Sequence, residues 1–413
     1  MKKNIFCLLV PAILAGCGGD THGDLVLSVK NETDLERNDE MVEIPMEELL
    51  KRIPLSDEDQ YVILDAEGTE VPWQITFDHN LMFPVHVGKH DSTAYKVIIG
   101  KPQEVAPVVY GRHYPERVDD IAWENDVCAY RCYGPALQES GEKAYGYDIW
   151  VKNTPLLVVE ERYANELNPE TTTQIAELRK ARRFDEANKL YRSVSYHVDH
   201  GNGLDCYKVG PTLGGGTAAL LEGDNIHYPY CWANYEIIEN GPLRFTIKLV
   251  YNPLAYKNDT IVETRILSLT KGSQLNKTIL LYEGLTDTSP LAAGIVVHPE
   301  NTDTFALDCE KKYIAYQDLT DNIHNDNGII YVGIVSPTMK EARYLAFNPK
   351  EAAQRGASGH LLAISDIAPD DSLTYYWGSA WSKAGWKDIN EWKTYLDAYA
   401  RKIASPLKVS YSY

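Results

Sequence analysis

The chain has 413 residues with a formal net charge of −19, and 44% of it is apolar and 10% aromatic. That balance permits a sizeable core and argues against nucleic acid or an anionic membrane surface as a partner. A small anionic ligand stays open, because local cations can oppose the global field.

The start decides the expected compartment. Lys2 and Lys3 precede an apolar run, Ile5 to Leu14, that is too short to span a bilayer. "LAGC" follows, ending at Cys17. Residues 1–17 read as a signal peptide whose last cysteine resembles the lipidated cysteine of a bacterial lipobox. Lipidation at Cys17 would tether the rest of the chain. The next residues, Gly18-Gly19-Asp20, lack an acidic run of the kind that can mark surface export, so a periplasm-facing outer-membrane lipoprotein is expected rather than a surface one.

From there the chain reads mostly as strands. "DLVLSVKN" alternates Leu25, Leu27 and Val29, and "YVILDAEGTEVPWQI" reads as two strands around Glu67-Gly68. "YEIIENGPLRFTIKLVYNPL" turns at Asn240-Gly241 and then alternates Leu243, Phe245, Ile247 and Leu249. "TRILSLTKGSQLNKTILLYEG" repeats the device at Lys271-Gly272-Ser273. Two helices interrupt. One covers "TTTQIAELRKARRFDEANKLYR", with Thr171 and Gln174 as a capping box; the other covers "DINEWKTYLDAYARKIASP" and must end before Pro406. The predicted fold is mainly β: a large antiparallel β-sandwich with a few helices over residues 18–413, leaving room for a small N-terminal β part at 24–105. The five cysteines outside the export segment, Cys128, Cys132, Cys206, Cys231 and Cys309, read mostly as small core residues.

Three segments can carry chemistry. "YGRHYPERVDDIAWEND", residues 110–126, crowds charge without a strand period. A surface loop with internal ion pairs accounts for it; so does a polar cleft wall, in which Arg112 presents a planar fork to a carboxylate and His113 moves a proton. "YHVDHGNGLDCYKVG", residues 196–210, gathers His197, Asp199, His200, Asp205, Tyr207 and Lys208 among glycines. A metal site, an acid–base site and a solvated turn compete there. No helical pair of histidines four apart exists, so no metal is expected and acid–base work is favoured. "YYWGSAWSKAGW" offers Trp377 and Trp381 as platforms for sugar rings, or as core. "GPTLGGG" is neither a phosphate loop nor a dinucleotide fingerprint, so no cofactor is expected.

These segments, with "NGPLRFTIKL" and "PLAAGIV", resemble a family of exported carbohydrate-utilisation lipoproteins long catalogued as a domain of unknown function, and within it the oligosaccharide dehydratases that act on ulvan fragments. The resemblance covers about residues 24–403. It implies a sandwich of the galactose-mutarotase-like or lyase-like supersandwich kind. It also implies β-elimination of water from a non-reducing-end uronate of an oligosaccharide, leaving a 4,5-unsaturated uronate. His197, His200 or Tyr207 would then be the base, and His113 or a tyrosine the acid. Arg112 and Lys208 would hold the carboxylate, Asp199 and Asp205 would orient imidazoles, and Trp123, Glu124, Asp126, Trp377 and Trp381 would line the sugar. His113 and the 197–208 loop would have to face one cleft. A polysaccharide lyase, a glycoside hydrolase using Glu124 and Asp126, and a non-catalytic glycan-binding lipoprotein are the alternatives.

Overall fold

A computed structural model describes residues 24–322 and 324–413. The signal segment and Cys17 lie outside the described residues. The protein is mainly β, with its strands in several antiparallel sheets.

Two five-stranded sheets lie side by side. The first runs Gly203–Asp205, Asp148–Lys152, Ala129–Cys132, Asp120–Glu124, Tyr110–Tyr114, and the second runs Asn225–His227, Gly215–Glu222, Ser289–Val297, Gly359–Ile367, Glu341–Ala346. A bridge between Tyr147 and Gly214 joins them. Against this layer packs a larger sheet that runs from Trp232–Asn240 through Ser372–Trp381 to Phe305–Asp308. Period-2 alternation drives the stacking: Phe245, Ile247 and Leu249 all point inward and are fully buried. Trp123, Tyr130, Tyr147 and Trp377 fill the space between the layers. Four of the cysteines are buried.

The N-terminal strands form two further sheets around a separate apolar core. The C-terminal strand Lys408–Ser412 pairs with Leu25–Lys30, so this part uses both ends of the chain.

Two expectations need correction. The 169–194 stretch is two helices, Pro169–Lys180 and Phe184–Val194, broken where Arg182 takes a left-handed φ of 58°. Its N-cap is Asn168, which accepts from the backbone N–H groups of Glu170 and Thr171, with Pro169 in the first turn; the Thr171 capping box does not form. The 110–126 segment is no loop. It is a hairpin of Tyr110–Tyr114 with Asp120–Glu124, whose alternate side chains Arg112, Asp120 and Glu124 all meet the helix Val159–Glu166 at its N-terminus or its buried Tyr163. The second helix, Ile389–Ala404, forms as the spacing predicts, capped by Asp388, with Trp392 and Leu396 buried.

Candidate active site

The titratable loop leaves the helix Phe184–Val194 and runs into the edge strand Gly203–Asp205. It is pinned from several sides. Glu166 accepts from the Ser195 hydroxyl and the Tyr196 N–H, Arg162 donates to the Asn202 carbonyl, and the Asp205 N–H donates to the Tyr196 carbonyl at 2.8 Å. Gly203 sits at φ 99°, and a Cβ there would lie 2.1 Å from the Val151 carbonyl oxygen, so only glycine fits. Asp199 closes the turn by accepting from the N–H groups of Gly201 and Gly203.

This loop forms one wall of a cavity of ≈ 240 Å³, lined among others by Arg192, His197, Asp199, Asn327, Trp381 and Lys383. That is below the roughly 300–1,000 Å³ of drug-sized sites and suits a small polar group. Trp381 is fixed by its indole N–H to the Asn327 carbonyl at 2.7 Å, and Lys383 is held by Asp326. Arg192, in the last turn of its helix, pairs with no carboxylate among the described residues.

His197 has a defined tautomer. Its Nδ1 lies 3.1 Å from the Asp205 carbonyl, which can only accept, so Nδ1 carries the proton and Nε2 is bare in the neutral ring. The Asp205 carboxylate lies 3.7 Å from the same nitrogen. His200 instead donates from Nε2 to the Ser195 carbonyl at 3.0 Å, and it does not line the cavity.

Behind His197 the sheet holds a buried charge cluster. Arg131 donates to Asp148 and Asp205, each at 2.8 Å, and reaches Asp120 at 3.5 Å. Arg131 alone contacts the three carboxylates, with Arg117 acting on Asp120 from farther away, so the cations do not balance the carboxylates. Burial, with Asp148 next in effect, pushes Asp205 up to about 7, and burial likewise raises Asp120.

The other segments are built differently. Arg112 grips Glu160 with two nitrogens at 2.7 and 2.9 Å, adds Glu116 at 2.7 Å, and stacks on Tyr114, so its fork is already filled by protein carboxylates. His113 has both nitrogens engaged, by Asp119 and by the Tyr235 hydroxyl, each at 3.1 Å. The sheet order puts His113 and Asp205 on opposite edge strands, with three strands between. At about 4.8 Å per strand that separates them by roughly 19 Å. His113 does not line the cavity beside His197, so the expectation that His113 and the 197–208 loop face one cleft is not met among the described residues.

Further corrections concern the sugar-lining residues. Trp123 is core, donating to Asn276 at 2.8 Å. Trp377 is core too, stacked on Tyr147 at 4.1 Å and 3°. Glu124 is sealed: it pairs with Lys152 at 2.6 Å and accepts from the Val158 and Val159 N–H groups at the start of a helix. Asp126 accepts from the Gly272 N–H in a turn. Tyr207 is buried beside the cavity loop, its hydroxyl without a partner among the described residues, while Lys208 is exposed. Sequence reading missed Arg192 and Lys383, which differ from other surface cations only in where the fold puts them. Among the described residues no three His, Cys, Asp or Glu side chains converge in a manner suited to a metal, and no helix is long and apolar enough to cross a membrane.

Comparison with known proteins gives distant similarities. The chain is 24% identical to "Uncharacterized protein P7" of Formosa agariphila over 99% of this chain and 100% of that one. Among solved structures, an α-mannosidase from Enterococcus faecalis superposes with a TM-score of 0.44 at 9% identity, over 94% of this chain and 46% of that one. A glycosyl hydrolase family 38 protein of the same species gives 0.48 at 9% identity, over 95% and 48%. The chain spans about half the length of these two structures. A family model matches residues 29–409, nearly the whole described chain, and on that match the chain belongs to the family described as a domain of unknown function, DUF4861.

Proposed function

We propose that the protein is a carbohydrate-active enzyme that removes water by β-elimination from a terminal uronate of an oligosaccharide, using the cavity beside His197. The observation that carries this reading is the pairing of a free guanidinium, Arg192, with a histidine whose Nε2 is bare, in one small polar cavity. A uronate carboxylate set on Arg192 and Lys383 is neutralised, which makes the neighbouring C5 proton removable. His197 Nε2 takes that proton. The electron pair of the C5–H bond forms the C4–C5 double bond, the C4–O bond breaks, and the departing hydroxyl takes the proton from His197 and leaves as water. Asp205 supports the imidazolium formed in between. A hydrolase would need two free carboxyl groups. Here Asp199 closes a turn, the Asp326 carboxylate is exposed to solvent 3.6 Å from Lys383, and Glu124 is sealed.

The test is incubation with oligosaccharides ending in a uronate, followed by ultraviolet absorbance and mass. Elimination gives an absorbing product lighter by one water. New reducing ends without absorbance would replace the reading by hydrolysis, and an unchanged substrate by binding alone. The proposal includes a lipid anchor at Cys17 and a periplasm-facing position on the outer membrane. Cys17→Ala should release the protein from the membrane fraction, and protease treatment of intact cells should leave the wild type whole. Removal of the wild type by that protease would place it on the cell surface instead.

A further inference from the structure

The surface beside the His197 cavity does not end at Lys383. The short turn Ser382–Ala384 follows the strand Ser372–Trp381, and Gly385 ends it at a left-handed φ of 95°. Lys383 lines the first cavity and also a second one of ≈ 420 Å³. Trp381 lines the first, Ala384 lines the second, and both bound a narrow crevice that connects the two. The second volume falls inside the roughly 300–1,000 Å³ of small-molecule sites. It opens to solvent, since Asn153, Pro155, Lys383 and Ala384 on its rim are all exposed.

Three more turns make its walls, and the fold ties them together. Asn125 Nδ2 donates to the Thr270 and Ser273 carbonyls at 2.6 and 2.8 Å, and Asp126 accepts from the Gly272 N–H at 2.7 Å. The turn after Asp120–Glu124 is thereby fastened to the turn that carries Gln274. Lys152 ends the strand Asp148–Lys152 and donates to Glu124 and to the Asn125 carbonyl, each at 2.6 Å, which fixes the start of the turn at Asn153. Walls held in this way lose little freedom when a ligand arrives.

The polar groups on these walls differ in what they have left to offer. The side-chain amides of Asn153 and Gln274 bond to no protein group among the described residues; Gln274 uses only its backbone, toward Tyr130 and Tyr395. Each amide carries two donor hydrogens and an acceptor oxygen. Asp126 spends one carboxylate oxygen on Gly272 and keeps the other. Val127 and Pro155 add apolar surface. Amides and a carboxylate oxygen match sugar hydroxyls, and the apolar patches match the C–H face of a ring. The charge is also informative. Lys152 is neutralised by Glu124, and in the proposed reaction Lys383 holds the uronate of the first cavity. Asp126 is then unopposed, which disfavours a second anion.

We propose that this second cavity is a subsite for a neutral sugar joined to C1 of the terminal uronate, so that the substrate is an oligosaccharide whose penultimate unit carries no charge. The proposal rests on reading the first cavity as a uronate site.

Two measurements on the full chain test this. The first is saturation-transfer NMR with a panel of neutral monosaccharides: glucose, galactose, mannose, xylose and rhamnose. In Arg192→Ala, where the first cavity has lost its cation, at least one sugar should receive saturation. The signal should vanish in Arg192→Ala/Ala384→Trp, where an exposed position fills the cavity with a ring, and weaken in Arg192→Ala/Asn153→Ala/Gln274→Ala. No transfer to any sugar, or equal transfer in all three chains, would overturn the subsite. The second is kinetic, on methyl glucuronide, glucuronosyl-glucose and glucuronosyl-glucuronate. Asn153→Ala/Gln274→Ala should raise KM for glucuronosyl-glucose about tenfold, as two ordinary hydrogen bonds imply, and leave methyl glucuronide unchanged. Wild type should favour glucuronosyl-glucose over glucuronosyl-glucuronate, and Asp126→Asn should narrow that preference by about fivefold, the effect of two like charges about 4 Å apart in water. Equal changes for all three substrates would also overturn the subsite. If the wild type forms no elimination product yet the NMR result holds, only the reading of the first cavity falls.

Discussion

The two edges of one five-stranded sheet carry similar residue types in opposite states. At the Tyr110–Tyr114 edge the cation and the imidazole are matched: Arg112 by Glu160 and Glu116, His113 by Asp119 and Tyr235. At the Gly203–Asp205 edge matching is incomplete. Among the described residues Arg192 and Lys208 have no carboxylate partner and the Tyr207 hydroxyl is unbonded, and His197 keeps a bare nitrogen. Matched polar groups stabilise or position the backbone, whereas unmatched ones in a cavity are available to a ligand. The difference teaches that crowding of titratable residues does not locate a site; lack of partners does.

The sharpest way to break the comparison is His197→Ala against His113→Ala. Loss of His197 should cut turnover on a uronate-ended oligosaccharide by about a hundred- to ten-thousand-fold with the thermal midpoint unchanged. His113→Ala should leave turnover per folded molecule intact and lower the midpoint; the reverse pattern would exchange the two edges. Next in size is a purely structural effect. Glu124→Ala strands Lys152 in the interior and leaves two helix N–H groups unmet, so denaturant unfolding should show a loss of about 3–5 kcal/mol.

The buried cluster behind His197 gives a pH signature. In the folded chain Asp205 keeps its proton up to about 7, while in the unfolded chain it releases it near its ordinary value of about 4. Between those limits the native state binds more protons, so this residue's contribution makes stability fall as pH rises through the window. Asp205→Asn should flatten that fall, and an unaltered slope would mean that another group titrates there. A smaller effect is expected for Arg192→Ala, which should reduce kcat/KM about ten- to hundred-fold, chiefly through KM, as for a charged hydrogen bond of about 1.5–3 kcal/mol. The smallest is Arg112→Ala. Its pairs are partly exposed, so unfolding should register no more than about 1 kcal/mol, without a change in KM.

Much of the fold was legible because burial follows the strand period. Leu243 to Leu249 and the turns at Gly241 and Gly272 needed only alternation and turn chemistry. The 110–126 hairpin was not legible, because the outer faces of its strands are polar and yet covered. Asp120 and Glu124 lie buried under a helix, an arrangement that mimics a charged loop in sequence. The break at Arg182 was hidden as well, since the apolar spacing continues across it. In the site, the sequence pointed to His197 and Trp381 by residue type and neighbourhood. Arg192 and Lys383 look like any surface cation until the fold sets them on one cavity. His298 follows the strand Ser289–Val297 of one sheet and Asp318 ends a strand of another, and no spacing rule joins them.

The most direct test of the central claim, that this edge performs an elimination, is product analysis in water enriched in heavy oxygen. A uronate-ended oligosaccharide should yield a product one water lighter, ultraviolet-absorbing and free of solvent oxygen, and His197→Ala should not form it. A product carrying solvent oxygen at a new reducing end would contradict the account.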